Sequence, residues 1–178
     1  MSVKRNELAG GKGGMNVLTK EELGTLIMKS ERQLYATAKT ILKNDQDCAD
    51  AIQEMIVKVF MKVDHLKEER YAKTWMIRIL INECYNILRK NSKVISIDSC
   101  KEIEEMHAPE KKNYESLYQA VGHLKKELRI PVVLYYAEDF SIREIAQILN
   151  VSEGAIQKRL ARARAKLKNE IEILEEAK

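Results

Sequence analysis

The chain has 178 residues, 45% of them apolar and 33% charged, with a formal net charge of +4. That length suits one or two small globular domains, and so low a net charge leaves nucleic-acid binding to local clusters of cations. No apolar run approaches the roughly 18 residues of a membrane span, no signal-peptide core opens the chain, and only two prolines and seven glycines, four of them within Gly10–Gly14, favour an all-α fold.

Cys48, Cys84 and Cys100 are odd in number, widely spaced and without a C-x-x-C pair. Reduced thiols in a cytoplasmic protein are therefore expected, not a disulfide framework or a zinc site. His65, His107 and His123 are equally scattered, so no metal, no cofactor and no small-molecule substrate is expected. Residues 1–17 read as a disordered tail. Their Gly10-Gly11-Lys12-Gly13-Gly14 run lacks the Lys-Ser/Thr ending and the preceding strand of a phosphate loop.

Thr19 and Glu22 have the spacing of a capping box, and a helix is expected from there through Leu34, Tyr35, Ala38, Ile41 and Leu42. The polar run 44–47 ends it. The next helix puts Ala49, Ile52, Met55, Ile56, Val59, Phe60 and Val63 inward, with Asp50, Gln53 and Glu54 on its other face. After a charged loop at 67–73, a helix over about 74–90 buries Ile77, Ile81, Cys84 and Leu88. It exposes Arg78, Asn82, Tyr85, Asn86, Arg89 and Lys90. Amides, an aromatic ring and cations on one face suit single-stranded nucleic acid, whose bases stack and present readable edges. The same face also suits a plain solvated surface.

Residues 91–112 lose periodicity, apart from a possible extended piece at 94–97, and carry Glu102, Glu104, Glu105 and Glu110. A domain over 18–91, a linker over 92–112 and a second domain over 113–178 are the expected divisions. In the second domain Tyr114, Leu117, Tyr118, Val121 and Leu124 share a face, and Pro131 suits the first turn of a helix carrying Val132, Val133, Tyr135 and Tyr136.

The stretch 141–168 carries the strongest signal. Ser141 and Glu144 form a second capping box, and Ile142, Ile145, Ala146 and Leu149 make one apolar stripe. Asn150 suits a left-handed helix end, and Ser152 opens a new helix. That helix buries Ile156, Leu160, Ala163, Leu167, Ile171 and Leu174, and turns Ala155, Lys158, Ala161, Arg162 and Ala165 outward with Gln157 and Arg159 on the flanks. Between Glu153 and Lys168 stand six cations and one acid. Small residues between cations let a helix enter a groove, so this is a helix-turn-helix with a basic reading helix. The plainer alternative is a charged face on an ordinary helical hairpin.

Taken in order, these segments resemble the extracytoplasmic-function (ECF) group of the sigma-70 family of bacterial RNA polymerase sigma factors. Residues 47–54 (D-C-A-D-A-I-Q-E) look like the family's D-A-x-D-x-x-Q-E helix. Trp75-Met-Ile-Arg-Ile-Leu-Ile-Asn82 followed by Leu88-Arg-Lys90 is similar to its W-L-x-x-I-A-x-N…R motif, and 141–167 to its E-I-A…G-T-V-K-S-R-L-x-R-A-R segment. The resemblance implies two small helical domains joined by a linker. One is like sigma region 2, docking core RNA polymerase through Asp50, Gln53 and Glu54, and taking the melted minus-ten strand on Arg78, Asn82, Asn86, Arg89 and Lys90. Trp75 belongs to its core and not to a melting wedge. The other is like sigma region 4, reading the minus-thirty-five duplex with Ala155, Gln157, Lys158, Arg159 and Arg162. Here the chain departs from the family: Ala155 stands for Thr, Gln157 for Lys and Lys158 for Ser. The acidic linker would thread near the polymerase channel, either as a nucleic-acid mimic or as a solvated tether.

An initiation factor for stress genes, with no catalysis of its own, is thus expected to partner core polymerase, promoter DNA and an anti-sigma factor. The rival is a dimeric helix-turn-helix regulator acting without polymerase, but a dimer face should be apolar, unlike the helices carrying Gln53 and Asn82. A nucleic-acid enzyme would need a carboxylate–histidine or metal-ligand cluster that the spacings do not supply.

Overall fold

The computed structural model describes residues 18–66, 68–94 and 115–176. Among them every regular element is helical. The capping box at Thr19 forms: Glu22 N donates to Thr19 Oγ1 at 3.2 Å and Thr19 N to Glu22 Oε2 at 2.8 Å, which starts α1 (Lys20–Lys29). The single helix expected from Thr19 to the 44–47 break is in fact two. Ser30, buried in the core, leaves the helical region at φ −97°, ψ 3°, and its N–H is shared between the Leu26 and Ile27 carbonyls. The chain then restarts as α2 (Glu31–Ile41).

All of the expected polar break after Asn44 is the first turn of α3 (Asp45–Met61), because Asn44 Oδ1 accepts from Asp47 N at 2.6 Å and caps it. The buried face of α3 is rotated from the expected one. Cys48, Ala51, Met55 and Val59 are buried, Ile52, Ile56 and Phe60 pack against the core from its margin, and Ala49 is exposed. Two short 3-10 turns, Val63–His65 and Glu69–Tyr71, lead to α4 (Ala72–Val94). α4 buries Met76, Ile77, Leu80, Ile81 and Cys84, with Trp75 and Leu88 half-buried against that core. It packs along α3 and α2. The extended piece expected from residue 94 does not begin there, since Val94 ends α4, and residues 95–114 lie outside the described part.

In the second half, α5 (Glu115–His123) packs mainly on the later helix α8 (Glu153–Glu176). That packing covers one narrow stripe, so Ala120 and the following Leu124 are buried while Leu117 and Tyr118, expected inward, are exposed. The expected start of the next helix at Pro131 is also corrected. α6 (Lys126–Tyr136) begins five residues earlier, and Pro131 is a buried interior residue. Its ring removes one N–H donor from the helix, and the site is apolar, with Ile130, Val132 and Leu134 buried around it. α7 (Ile142–Leu149) and α8 follow as the helix-turn-helix.

The two halves are not separate beads. α2 packs on α6 and α4 on α7, and buried side chains from Leu18 to Ala163 form one continuous cluster. Polar contacts cross the same junction: Arg129 Nε donates to Thr40 O at 3.0 Å and Gln33 Nε2 to Glu138 O at 3.2 Å. Lys73 Nζ stands 5.7 Å from the centre of the Phe140 ring. An open cleft lined by Lys29, Arg32, Gln33, Lys73, Glu138 and Asp139 lies beside these contacts.

Candidate protein and nucleic-acid interfaces

Three helix faces carry the candidate residues. On α3, Asp50, Gln53 and Glu54 are all exposed, and Gln46 Nε2 donates to Asp50 Oδ1 at 3.1 Å. Steps of four, three and four continue this stripe from Asp50 through Glu54 to Val57 and Met61, which are 49% and 74% exposed. Sequence reasoning passed over Val57 and Met61. Placing them on the same helical wheel as Asp50 would have found them. An acidic stripe that runs into exposed apolar side chains has the composition of a protein-docking surface.

On α4, Arg78, Asn82, Tyr85 and Arg89 follow the same steps and all are exposed. Lys90 is exposed outside that stripe, and Asn86 is half-buried on its edge. Asn86 Nδ2 donates to Glu83 Oε2 at 3.1 Å, and Arg89 Nη2 donates to Asn86 Oδ1. Glu83 is buried and pairs with Lys58 Nζ at 2.7 Å. Burial pushes the Glu83 carboxyl up, but the bonds from Lys58 and Asn86 outweigh it and hold the pKa below the ordinary value. Burial likewise raises the Tyr85 phenol, helped by the Glu127 carboxylate and opposed by the Arg159 guanidinium. Tyr85 therefore lies within electrostatic reach of Glu127 on α6 and Arg159 on α8.

The helix-turn-helix forms as its local chemistry dictates. Glu144 N donates to Ser141 Oγ at 3.3 Å, and Ser141 N to Glu144 Oε2 at 2.9 Å. Asn150 ends α7 at φ 53°, ψ 50°, a left-handed conformation that asparagine tolerates better than most residues. Ala155 N donates to Ser152 Oγ at 3.2 Å, satisfying an open N–H of the first turn of α8. Ile156, Leu160 and Ala163 are buried, which turns Gln157, Lys158 and Arg162 to solvent, with Ala155 and Arg159 half-buried. Arg164 is drawn aside, its Nη1 donating to Tyr136 Oη at 3.3 Å. Gly154 has no heavy atom within 4 Å of where a Cβ would stand.

Cys48 and Cys84 are buried free thiols whose pKa values burial pushes up to about 11 and about 12. His123 Nδ1 lies 2.9 Å from Glu170 Oε1, tying α5 to α8. Among the described residues no group of three or more His, Cys, Asp and Glu could hold a metal, and no helix is long and apolar enough to cross a membrane. Cys100 and His107 lie outside the described residues.

Comparison with known proteins matches both halves. Residues 26–94 fit the family model for sigma-70 region 2, and residues 114–167 the model for sigma-70 region 4. The chain is 29% identical over 147 residues to the RNA polymerase sigma factor SigV of Bacillus subtilis, covering 82% of this chain and 88% of SigV. It is 26% identical over 144 residues to the ECF sigma factor SigM of Mycobacterium tuberculosis, covering 80% and 73% of the two. Its fold resembles that of the sigma factor RpoE of Bartonella quintana, solved with the anti-sigma factor NepR, at a TM-score of 0.68, 23% identity and coverage of 86% and 98%. It also resembles CnrH, solved with the cytosolic domain of CnrY, at a TM-score of 0.65, 21% identity and coverage of 87% and 90%. A dimeric regulator has no reason to carry region 2 ahead of region 4, and that reading is set aside. The two regions in their proper order and the ECF relatives place this chain in the sigma-70 family, as a sigma factor of the ECF group.

Proposed function

We propose that this ECF sigma factor binds bacterial core RNA polymerase in the cytoplasm and directs it to promoters, probing duplex DNA with α8 and taking the melted strand on α4. The observation that carries the reading is the matching of regions 2 and 4, in that order, on halves that expose different chemistry. The stripe Asp50–Gln53–Glu54, extended by Val57 and Met61, offers acids, amides and apolar surface to a polymerase subunit. Arg78, Asn82 and Arg89 offer cations and an amide to an unpaired strand, with Tyr85 available for stacking. Gln157, Lys158 and Arg162 offer duplex contacts beside the small Ala155 and Ala161. The divisions at 18–91, 92–112 and 113–178 separate these tasks.

In this reading the chain performs no catalysis, and bond formation belongs to the polymerase. The fold-level neighbours were solved with an anti-sigma factor or with the cytosolic domain of CnrY. An inhibitory partner of this kind, releasing the factor under stress, is part of the proposal. The test is transcription from duplex promoter libraries by core polymerase with and without the purified protein, start sites being sequenced. Discrete starts preceded by two shared elements are expected. Replacing Gln53 and Glu54 together by Ala should abolish those starts while α8 still binds duplex. Absence of starts alongside initiation by a control sigma factor would overturn the reading.

A further inference from the structure

The side chains of Lys58, Glu83, Asn86 and Arg89 form a relay from inside the first domain to the exposed face of α4. Lys58 Nζ and Asn86 Nδ2 both reach Glu83 Oε2, at 2.7 and 3.1 Å, and Asn86 Oδ1 accepts from Arg89 Nη2. The amide of Asn86 has only one chemically sensible orientation. An ionised carboxylate can only accept and a guanidinium can only donate, so the NH2 must face Glu83 and the oxygen must face Arg89. Glu83 is 8% exposed and Lys58 lies on α3, so the carboxylate is pinned from the neighbouring helix and does not swing with solvent.

A side-chain amide reads an adenine by using both of its ends at once. One hydrogen and one lone pair of Asn86 are already engaged, and these two bonds aim the half-buried amide at Glu83 and Arg89. Asn82, one turn earlier and exposed, has no side-chain hydrogen bond among the described residues. We propose that Glu83 is a positioning residue that, anchored by Lys58, locks Asn86 as a strut holding the Arg89 guanidinium toward the DNA strand, and that base reading on this helix falls to Asn82 instead of Asn86. The inference rests on the reading of α4 as the strand-binding helix, and deepens it by dividing its residues into reader, strut and phosphate contact.

The test uses holoenzyme assembled from the full chain and core polymerase, binding a fluorescent promoter already mismatched across the minus-ten element, over a range of salt. Arg89→Ala should weaken binding roughly tenfold and lower the salt slope by about one, as for a lost phosphate contact. Replacing the buried pair by apolar residues, Lys58→Met with Glu83→Leu, keeps the volume filled and is expected to preserve folding. It should reproduce the loss of slope, and adding Arg89→Ala on that background should change little further. Asn82→Ala should lower discrimination among bases without altering the slope. A paired variant that folds and binds with an unchanged slope would overturn the strut, as would Asn86→Ala losing base discrimination with the slope intact. If Arg78→Ala, Asn82→Ala and Arg89→Ala all bind as the parent does, it is the strand-binding reading of α4 that has failed.

Discussion

Arg129 joins the two halves of the molecule: its Nε donates to Thr40 O at the end of α2, at 3.0 Å, while its Nη1 donates to Gly122 O at 2.7 Å. Burial lowers its pKa, but a guanidinium starts so far above neutrality that it remains charged at neutral pH. Promoter elements centred 25 base pairs apart span roughly 85 Å of duplex at about 3.4 Å per pair. In the proposed reading α4 and α8 serve elements that far apart, yet in this arrangement α4 packs on α7 and α7 on α8. On that reading the halves must part before both helices can reach DNA.

Arg129→Ala should therefore favour parting. Hydrogen bonds from a charged group contribute about 1.5–3 kcal/mol each, and their loss should show as faster hydrogen exchange in α2 and α6 and a larger radius of gyration. Apparent affinity of the free protein for minus-thirty-five duplex should rise, because a larger fraction is competent to bind. Unchanged scattering and exchange would mean that the apolar junction alone holds the halves together.

Gly154 offers a separation of stability from function. Beyond its own helix backbone its Cβ position meets open space and its φ is ordinary, so nothing among the described residues requires glycine. Gly154→Ala should stabilise α8 by about 0.5–1 kcal/mol, measured by urea denaturation. If DNA backbone approaches the first turn of α8, the added methyl should weaken duplex binding in the same variant. A gain in stability with no loss of binding would place the DNA elsewhere on the helix.

Thr37 is 1% exposed, and its hydroxyl has no hydrogen-bond partner among the described residues. An unsatisfied buried hydroxyl costs about 1–3 kcal/mol. Thr37→Val, which keeps the shape and removes the polar atom, should raise the unfolding free energy by about 1 kcal/mol. A destabilised variant would indicate that a water satisfies the hydroxyl in solution.

The Lys58–Glu83 pair predicts an acid limb. The folded pKa of Glu83 lies below 4.5. Its stabilising contribution is thus present above the unfolded value and is lost as pH falls through the lowered folded one. Unfolding free energy measured between about pH 6 and pH 3 should fall less steeply for Glu83→Gln than for the parent. Equal slopes would assign the acid loss to other carboxylates.

What could be read from the residues alone was local. Thr19–Glu22, Ser141–Glu144, Asn150 and Ser152 announce helix ends because capping is a contact between near neighbours. The stripe through Ile156, Leu160 and Ala163 fixes which face of α8 is buried and which basic face is exposed, for the same reason. The kink at Ser30, the interior Pro131 and the exposed Leu117 and Tyr118 depend on which helices happen to pack against them, and no periodicity contains that information. The engagement of the Asn86 amide was hidden likewise: Glu83 is its near neighbour, but Lys58 lies 25 residues earlier on another helix.

α8 is one unbroken helix of 24 residues, roughly 36 Å at about 1.5 Å per residue. Its first turns present Gln157, Lys158 and Arg162, while its later turns seat α5, with Glu170 meeting His123. The two ends are locked in rotational phase. Inserting a single residue after Ala165 would swing Glu170 by about 100° away from α5, whereas inserting seven would nearly restore its facing, displaced by about 10.5 Å along the axis. Viable length changes in this part of the chain are thereby quantised, as a gear admits only whole teeth.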